Sequence, residues 1–393
     1  MDVAELCSEL VRIKSVNPPG NTRDVIGYIR DYLEDIDVPV SLTGGDDGRC
    51  NILTGYGPKD LLLLGHVDVV PAIADGWSHD PFSGIIKDGF VYGRGSTDMK
   101  GGCAALLTAF SETLKEGITP NANLCFVCDE ENGGPLGVRH LLREGMIEPC
   151  DCIVAEPTPH LNPCVGQKGL VRLNFEFTGT PGHGSLYPEI GKSAIMNATD
   201  FLAFAKSLNE IIYDVDDDIA CIISDSSKVI SEFFDICNPE NILARITYNP
   251  GKISGGEELN IVAQKCYLDF EMRIPWGCDS TLLIENIKDV CVNASVNIEE
   301  CSDPTITRAD ISLVKTACES ISSVYGAKSY PIVQWAASDA RCLREKGFNV
   351  IEYGPGEIET LHSIDERVSV EKLKKAVKIY KSIIKSYSCK PNN

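Results

Sequence analysis

The stretch Leu61–Pro71, LLLLGHVDVVP, decides how the chain is read. Four consecutive leucines bounded by Gly65 are too few for a helix and too apolar for a half-exposed strand. They predict a central strand buried on both faces of a sheet with parallel neighbours. His66 and Asp68 fall just past its end. In an open α/β sheet, loops and helix N-termini converge beyond the carboxyl ends of the strands, and ligands bind there. A histidine at that place with an acid two residues on has a chemical logic: the carboxylate accepts one ring N–H, fixes the tautomer and leaves the other nitrogen for a metal. A loop histidine beside an unrelated acid is the plainer alternative, and the remaining motifs weigh between the two.

Outward from this strand, the same pattern recurs. Strands are expected at Val38 to Leu42 and Asn51 to Thr54, a hairpin with a D-G turn at Gly84 to Arg94, and short buried strands at Leu124 to Cys128 and Asp151 to Ala155. Helices are expected at Asp24 to Asp35, Lys100 to Leu114 and Leu136 to Arg143. Strands alternating with helices at this spacing indicate an α/β fold, a doubly wound mixed-sheet catalytic domain. Near Gly169 the character changes. Longer alternating strands (Val171, Leu173, Phe175, Phe177), a helix at Lys192 to Leu208, strands at Ile242 to Tyr248 and Val262 to Arg273, a helix at Thr281 to Val292 and a strand at Val296 to Glu299 suggest an inserted α+β domain. The expected boundaries are 1–168 and 304–393 for the first domain and 169–303 for the second. Tyr213 to Glu240, with its DVDDD run, reads as a solvated irregular loop, and Ser369 to Ser388 as a long amphipathic helix.

Composition excludes several functions. Across 393 residues, Lys+Arg of 36 against Asp+Glu of 57 gives a net charge of −21, which argues against nucleic acid or an anionic membrane as partner. No apolar run approaches membrane-spanning length. The opening MDVAELCSELVRIKSV has the spacing of an amphipathic helix and not of a signal peptide, so a cytoplasmic location is expected. The 17 cysteines are odd in number and most lie in apolar segments (Cys103, Cys125, Cys128, Cys221, Cys266), which reads as free thiols in a reducing compartment.

Four buried strands are expected whose ends deliver metal-capable side chains: His66 with Asp68, Asp98 in GRGSTDMKGG, Glu130-Glu131, and Glu156 in AEPT. Asp98 alone could cap a helix, and adjacent glutamates are ordinarily solvated, but the recurrence favours a joint site. His362, in the Gly/Pro-rich loop GPGEIETLHSIDE, supplies a further donor. One Asp shared between two ions, with a His and a carboxylate on each, is how a two-metal hydrolase polarises a carbonyl and activates a bridging water. Of Glu130 and Glu131 only one need bind metal, which leaves the other free as general base.

The ordered set GHVDVVP, YGRGSTDMKGG, DEENGG, AEPT, PGHGSLYPEIGKSAI, GGEELNIV, DFEMRIP, ASDAR and EYGPG…LHSIDE resembles the dinuclear zinc metallohydrolases that include acetylornithine deacetylase, succinyl-diaminopimelate desuccinylase, aminoacylase and glutamate carboxypeptidase. The resemblance implies metal ligands at His66, Asp98 (bridging), Glu131, Glu156 and His362, with Glu130 as general base, Asp68 supporting His66, and a cis peptide after Asp98. It implies that the inserted domain is a lid and dimerisation domain. There His183 would reach the neighbouring subunit's site as an oxyanion donor, and Asn260 and Arg273 would hold the substrate, with Arg341 a further candidate. From the strand pattern alone, Arg273 reads as an outward-facing partner of Glu271; the resemblance turns that reading toward the substrate.

The implied cofactors are two Zn2+, with Co2+ or Mn2+ also suited to such ligands. The implied reaction is hydrolysis of an N-acyl amino acid, a small molecule, by a homodimer. A carboxypeptidase or dipeptidase acting on a short peptide is the alternative, and a catalytically silent metal-binding module the remote one. Glu156, where aminopeptidase-type relatives tend to carry Asp, leans toward the deacylase and carboxypeptidase branch. The chain departs from the pattern in the long segment between His183 and Asn260, and in Ala336-Ala337-Ser338, where relatives often carry a glycine-rich turn.

Overall fold

The structure, a computed structural model, describes residues 1–45, 48–55, 57 and 59–388. Along the chain the elements are α1 (Val3–Arg12), α2 (Arg23–Glu34), β1 (Val40–Gly44), β2 (Cys50–Thr54), β3 (Leu61–His66), β4 (Ile86–Lys87), β5 (Phe90–Tyr92), α3 (Gly101–Lys115), β6 (Ala122–Val127), α4 (Val138–Arg143), β7 (Asp151–Val154), β8 (Cys164–Gln167) and β9 (Gly169–Thr178). There follow α5 (Ala194–Leu208), α6 (Asp217–Phe233), α7 (Glu240–Ala244), β10 (Thr247–Gly255), β11 (Lys265–Ile274), α8 (Ser280–Val290), β12 (Ala294–Ser302) and β13 (Thr305–Ile306). The last are α9 (Ser312–Tyr325), β14 (Ile332–Gln334), α10 (Asp339–Glu345), β15 (Asn349–Glu352), β16 (Arg367–Ser369) and α11 (Val370–Ser388). Two compact units result: Met1–Val165 with Ile306–Ile332 and Ser338–Asn393, and Gly166–Thr305 with Val333–Ala337.

The first unit holds a nine-stranded sheet in the order β1-β2-β6-β3-β7-β15-β8-β13, with β14 paired to β8. Its centre, β6-β3-β7-β15, is parallel, while β1, β2 and β8 join antiparallel, so the sheet is mixed. All six residues of β3 are buried. Leu62 and Leu64 pack with Val138, Leu141, Ala340 and Leu343 of α4 and α10, whereas α3, which itself packs on α11, covers the opposite face of β3 and β6. The run of leucines is therefore the sequence trace of a strand sandwiched between helices, each leucine contributing about 1.5–3 kcal/mol by burial. A separate three-stranded sheet, β16-β5-β4, contains the expected hairpin.

The second unit is a four-stranded antiparallel sheet, β10-β11-β9-β12. One face buries Phe175, Phe177 and Phe270 against Phe201 of α5 and Leu283, Ile284 and Ile287 of α8. The other is polar, with Arg172 paired to Glu271 and Asn174 to Asp269.

Two expectations fail in this unit. The segment 213–240 contains α6, a 17-residue helix, where a loop was expected. The acidic run is its start: Asp216 is the N-cap and Asp217 and Asp218 fill the first turn, where the helix dipole favours negative charge. Ile223, Ser226, Ser227, Val229 and Ile230 form its buried stripe. The expected strand at Ile242 to Tyr248 is also displaced. Residues Glu240–Ala244 are helical, and the strand runs Thr247–Gly255, with a register shift at Pro250 to Lys252. An edge strand tolerates a proline that a central one would not. The 16 described cysteines form no disulfide, Cys125 and Cys128 are both buried, and Cys221 is exposed on α6; Cys389 lies outside the described residues. No described helix is long and apolar enough to cross a membrane.

Candidate active site

Strand β3 ends on His66, which is only 1% exposed. Helix α3 passes so close that a Cβ on Gly65 would lie 2.7 Å from Cys103 Sγ, so the strand can carry no side chain there. His66 Nδ1 donates to the Asp68 backbone carbonyl at 2.9 Å, and the Asp68 carboxylate is 3.5 Å from the same nitrogen. A carbonyl only accepts, so this bond aims Nε2 at the site. The sequence reading gave that task to the carboxylate. Besides lying beside the ring, its oxygens accept from Asn17 Nδ2 at 2.9 Å and from the backbone N–H groups of Glu130 and Glu131 at 3.2 and 3.1 Å. Asp68 thus fixes the turn that carries both glutamates.

Asp98 sits in the turn Ser96–Lys100, where its φ of −118° and ψ of 98° break the helical path, and the Asp98–Met99 peptide is cis. One of its oxygens, Oδ1, lies 3.0 Å from His66 Nε2, and the other, Oδ2, lies 3.1 Å from His362 Nε2. Glu156 Oε1 is 3.7 Å from His66 Nε2, and Glu131 Oε2 is 3.6 Å from His362 Nε2. Two overlapping groups result, His66/Asp98/Glu156 and Asp98/Glu131/His362, each with its donor atoms within 4.8 Å of one another. Glu130 belongs to neither, but it lies close enough to His66, Glu156 and Glu131 to feel their charges.

The electrostatics are those of a cation site. Burial raises the carboxyls of Glu130 and Glu156 well above the usual range, with Glu156 pushed further by Asp98. Burial works against ionisation of Asp98 as well, but its bonds to His362 and His66 outweigh it and hold the carboxyl low. His362 is pushed up to about 10, first by Asp98 and then by Glu131. His66 is raised well above its ordinary value, because Asp68 and Asp98 overcome a burial that favours the neutral ring. Glu131 Oε1 is buried with no hydrogen-bond partner. An orphaned carboxylate oxygen among two imidazoles and three further acids, buried or half-buried, fits a pair of divalent cations by charge and by donor type.

The structure therefore brings His66, Asp68, Asp98, Glu130, Glu131, Glu156 and His362 together in the first unit. Arg341, buried in the first turn of α10, also lies in that unit. The others lie in the second. His183 is exposed; its Nδ1 accepts from Ser185 N, and its backbone bridges to Ile261 while Gly184 N donates to the Asn260 carbonyl at 2.7 Å. Arg273 is paired with Glu271 through Nε at 3.0 Å and Nη2 at 2.8 Å, the outward ion pair that the strand pattern alone allowed.

Sequence reasoning missed Asn17, which donates to both Asp68 and Asp129 at 2.9 Å. It missed Glu366, whose Oε1 accepts from the backbone N–H groups of Gly95, Thr97 and Asp98. It also missed Asp339, a buried acid beside Glu130 whose carboxyl burial pushes up to about 7. Asn17 was legible only as a turn residue in NPPGNT. Glu366 stood four residues past His362 with nothing in its spacing to single it out.

The family model described as peptidase family M20/M25/M40 matches residues 62–386. A succinyl-diaminopimelate desuccinylase of Sulfurovum sp. (strain NBC37-1) is 29% identical over 99% of this chain and all of that one. An acetylornithine deacetylase of Aliivibrio salmonicida is 28% identical over 92% of each. Among solved structures, an M20 family metallo-carboxypeptidase from Sulfolobus solfataricus superposes with a TM-score of 0.80 over 99% of this chain and 100% of that one, at 18% identity. The fold, the acid and histidine set and the match over most of the chain agree, and this hydrolytic enzyme belongs to the metal-dependent peptidase family M20/M25/M40.

Proposed function

We propose that the enzyme hydrolyses the amide bond of N-acyl amino acids, in the manner of a deacetylase or desuccinylase. The observation that carries this reading is the shared Asp98, one oxygen to each imidazole, with Glu130 beside the two donor groups and required by neither. His66, Asp98 and Glu156 would hold one divalent ion, and Asp98, Glu131 and His362 the other; zinc suits this mixed set, and cobalt or manganese are accepted by it. Ions bound there supply Lewis acidity toward the amide carbonyl and make water a better nucleophile near neutral pH.

The chain's own residues do the rest. Glu130 takes a proton from water as the water oxygen bonds to the acyl carbon. It returns that proton to the amine nitrogen as the C–N bond breaks. Its buried position, which favours the protonated form, suits a group that must give the proton back. Asp68 fixes Glu130 and Glu131 through their backbone N–H groups, so that base and ligand keep distinct orientations. In the second unit, proposed as lid and dimerisation domain of a homodimer, His183 serves as an oxyanion donor to the partner's site, and Asn260 and Arg273 hold the substrate, with Arg341 the alternative for its carboxylate. The relatives named desuccinylase and deacetylase support the substrate class.

The test is a panel of N-acetyl and N-succinyl amino acids, including N-acetyl-ornithine and N-succinyl-diaminopimelate, against dipeptides, using protein reconstituted with Zn2+ or Co2+. Faster turnover of an N-acyl amino acid supports the proposal. Faster turnover of dipeptides assigns the peptidase alternative, and no turnover of any member overturns both.

A further inference from the structure

The small three-stranded sheet has no role in the reading above, yet it sits at the root of two proposed metal ligands. Strand β16 pairs antiparallel with β5 in the register Arg367 to Tyr92, Val368 to Val91 and Ser369 to Phe90. Glu366 directly precedes β16 and Arg94 follows β5 by two residues, so the pairing sets these side chains face to face. Arg94 Nη1 donates to Glu366 Oε2 at 2.5 Å, with both side chains buried. The pair then reaches in two directions. Glu366 Oε1 accepts from Gly95 N, Thr97 N and Asp98 N at 3.0, 3.0 and 3.1 Å, which gathers the turn carrying Asp98. Arg94 Nη2 donates to the His362 backbone carbonyl at 3.1 Å, and the Trp77 ring lies 5.4 Å from its guanidinium.

His362 needs such a hold. Its φ is 55°, in the left-handed region that a non-glycine residue occupies only when its surroundings impose it, and its side chain is 51% exposed, so packing does not fix the ring. His66 is the opposite case. It ends a fully buried strand and takes its orientation from Asp68 two residues on.

We infer that the Arg94–Glu366 pair, presented by the three-stranded sheet, is a positioning device that joins the Asp98 turn to the His362 loop and sets the second donor group, Asp98/Glu131/His362, without contributing a donor atom. A buried ion pair that served only to fill the fold would need no backbone donors from the ligand turn. Here one carboxylate oxygen collects three of them, and the guanidinium spends its other bond on the loop of a second ligand. The inference rests on the proposed pair of ions.

The experiment measures metal binding, not turnover. Zn2+ affinity and the number of ions retained are read by competition with a chromogenic chelator for wild type, Glu366→Gln, Arg94→Met, Arg94→Lys and the double variant Glu366→Gln/Arg94→Met. Loss of a residue that orients a ligand typically weakens metal binding by about 10- to 100-fold. That loss is expected for one of the two ions; the other, which shares Asp98 but takes its histidine from β3, is expected to weaken less. The double variant is expected to be no worse than the worse single, because the two residues act as one unit, and Arg94→Lys is expected to recover part of the loss. Ile29→Ala, which hollows the core under α2, lowers the melting temperature without touching the site and is expected to bind both ions normally. Unchanged affinities, equal weakening of both ions, additive single effects, or a matching loss in Ile29→Ala would overturn the inference. Wild-type protein that holds no second ion would undo the metal reading itself.

Discussion

Metal uptake by this protein is expected to release protons, and their number follows from the site. In the ion-free protein His362 is pushed up to about 10 by Asp98 and Glu131, and His66 is raised well above its ordinary value by Asp68 and Asp98 against the effect of burial. At pH 7 both rings are imidazolium, and each must lose a proton before its nitrogen can bind a cation. Filling both donor groups therefore displaces about two protons from the histidines, with more from Glu156, whose carboxyl burial raises well above the usual range. For the second group, His362 alone makes affinity climb about tenfold per pH unit until the pH nears 10. Fold stability runs the other way. A histidine whose pKa is raised on folding contributes fully below its unfolded value of about 6.5, and that contribution is lost as pH rises through the folded value. Stripped protein thus weakens from pH 7 to 9 while loaded protein, whose bound histidines are as unprotonated as those of the unfolded chain, holds level, so the gap between the two widens. The assay is calorimetric titration of Zn2+ into stripped protein in phosphate and in Tris, whose ionisation heats differ, beside melting curves of both forms at pH 7, 8 and 9. Heats that do not depend on the buffer, or a melting-temperature gap that narrows as pH rises, would refute the charge states assigned to the site.

Three further outcomes are expected. Glu130→Gln should retain both ions and lose turnover by about two to four powers of ten, the usual scale of general-base assistance, whereas Glu131→Gln should lose affinity for one ion; equal metal loss in the two variants would contradict the division of roles. Mixing His183→Ala chains with Glu130→Gln chains should restore part of the activity, since a hybrid dimer carries one site with both residues intact; verified heterodimers without activity would remove His183 from the partner's site. Blocking the substrate carboxylate as its amide should lower kcat/KM by roughly ten- to a hundredfold, the scale of a charge-assisted bond of about 1.5–3 kcal/mol, and Arg273→Ala should erase that preference; if discrimination survives in Arg273→Ala, Arg273 serves only its pair with Glu271 and Arg341 is the next residue to test.

What was legible in the sequence was whatever local pattern determines. Four leucines before a glycine describe a strand covered on both sides, because the run is too short for a helix, and β3 is that strand. The ends of such strands converge, so His66, Glu156 and the pair Glu130-Glu131 could be gathered with Asp98, and His362 joined them as the histidine of a loop rich in glycine and proline; which of the two glutamates is the donor came from the family resemblance and not from spacing. Patterns with two physical readings were less secure. DVDDD is as acidic in a loop as in the first turn of a helix, and only the stripe from Ile223 to Ile230 separates the cases. Pro250 and Gly251 hid an edge strand. Contacts between distant segments left no trace at all. Glu366 reaches Asp98 across 268 residues, and Asn17 reaches Asp129 across 112. The partner of His66 turned out to be a backbone carbonyl, which every residue has and no sequence pattern can advertise.

The order of strands in the large sheet has a consequence during synthesis. Strand β7, completed at Val154, pairs on one side with β3 and on the other with β15, which begins only at Asn349. At about 5 to 20 residues per second on a ribosome, roughly 10 to 40 s pass between the two. Throughout that interval the sequence DCIV presents an open, apolar strand edge, the kind of surface on which nascent chains associate. Gly166–Thr305, most of the second unit, emerges inside the same interval and can collapse on its own sheet while the first unit waits. His66 and Asp98 are present before the wait begins and Glu156 follows two residues into it, but His362 arrives after it. One donor group is therefore complete early in synthesis, and the other only once His362 has been added.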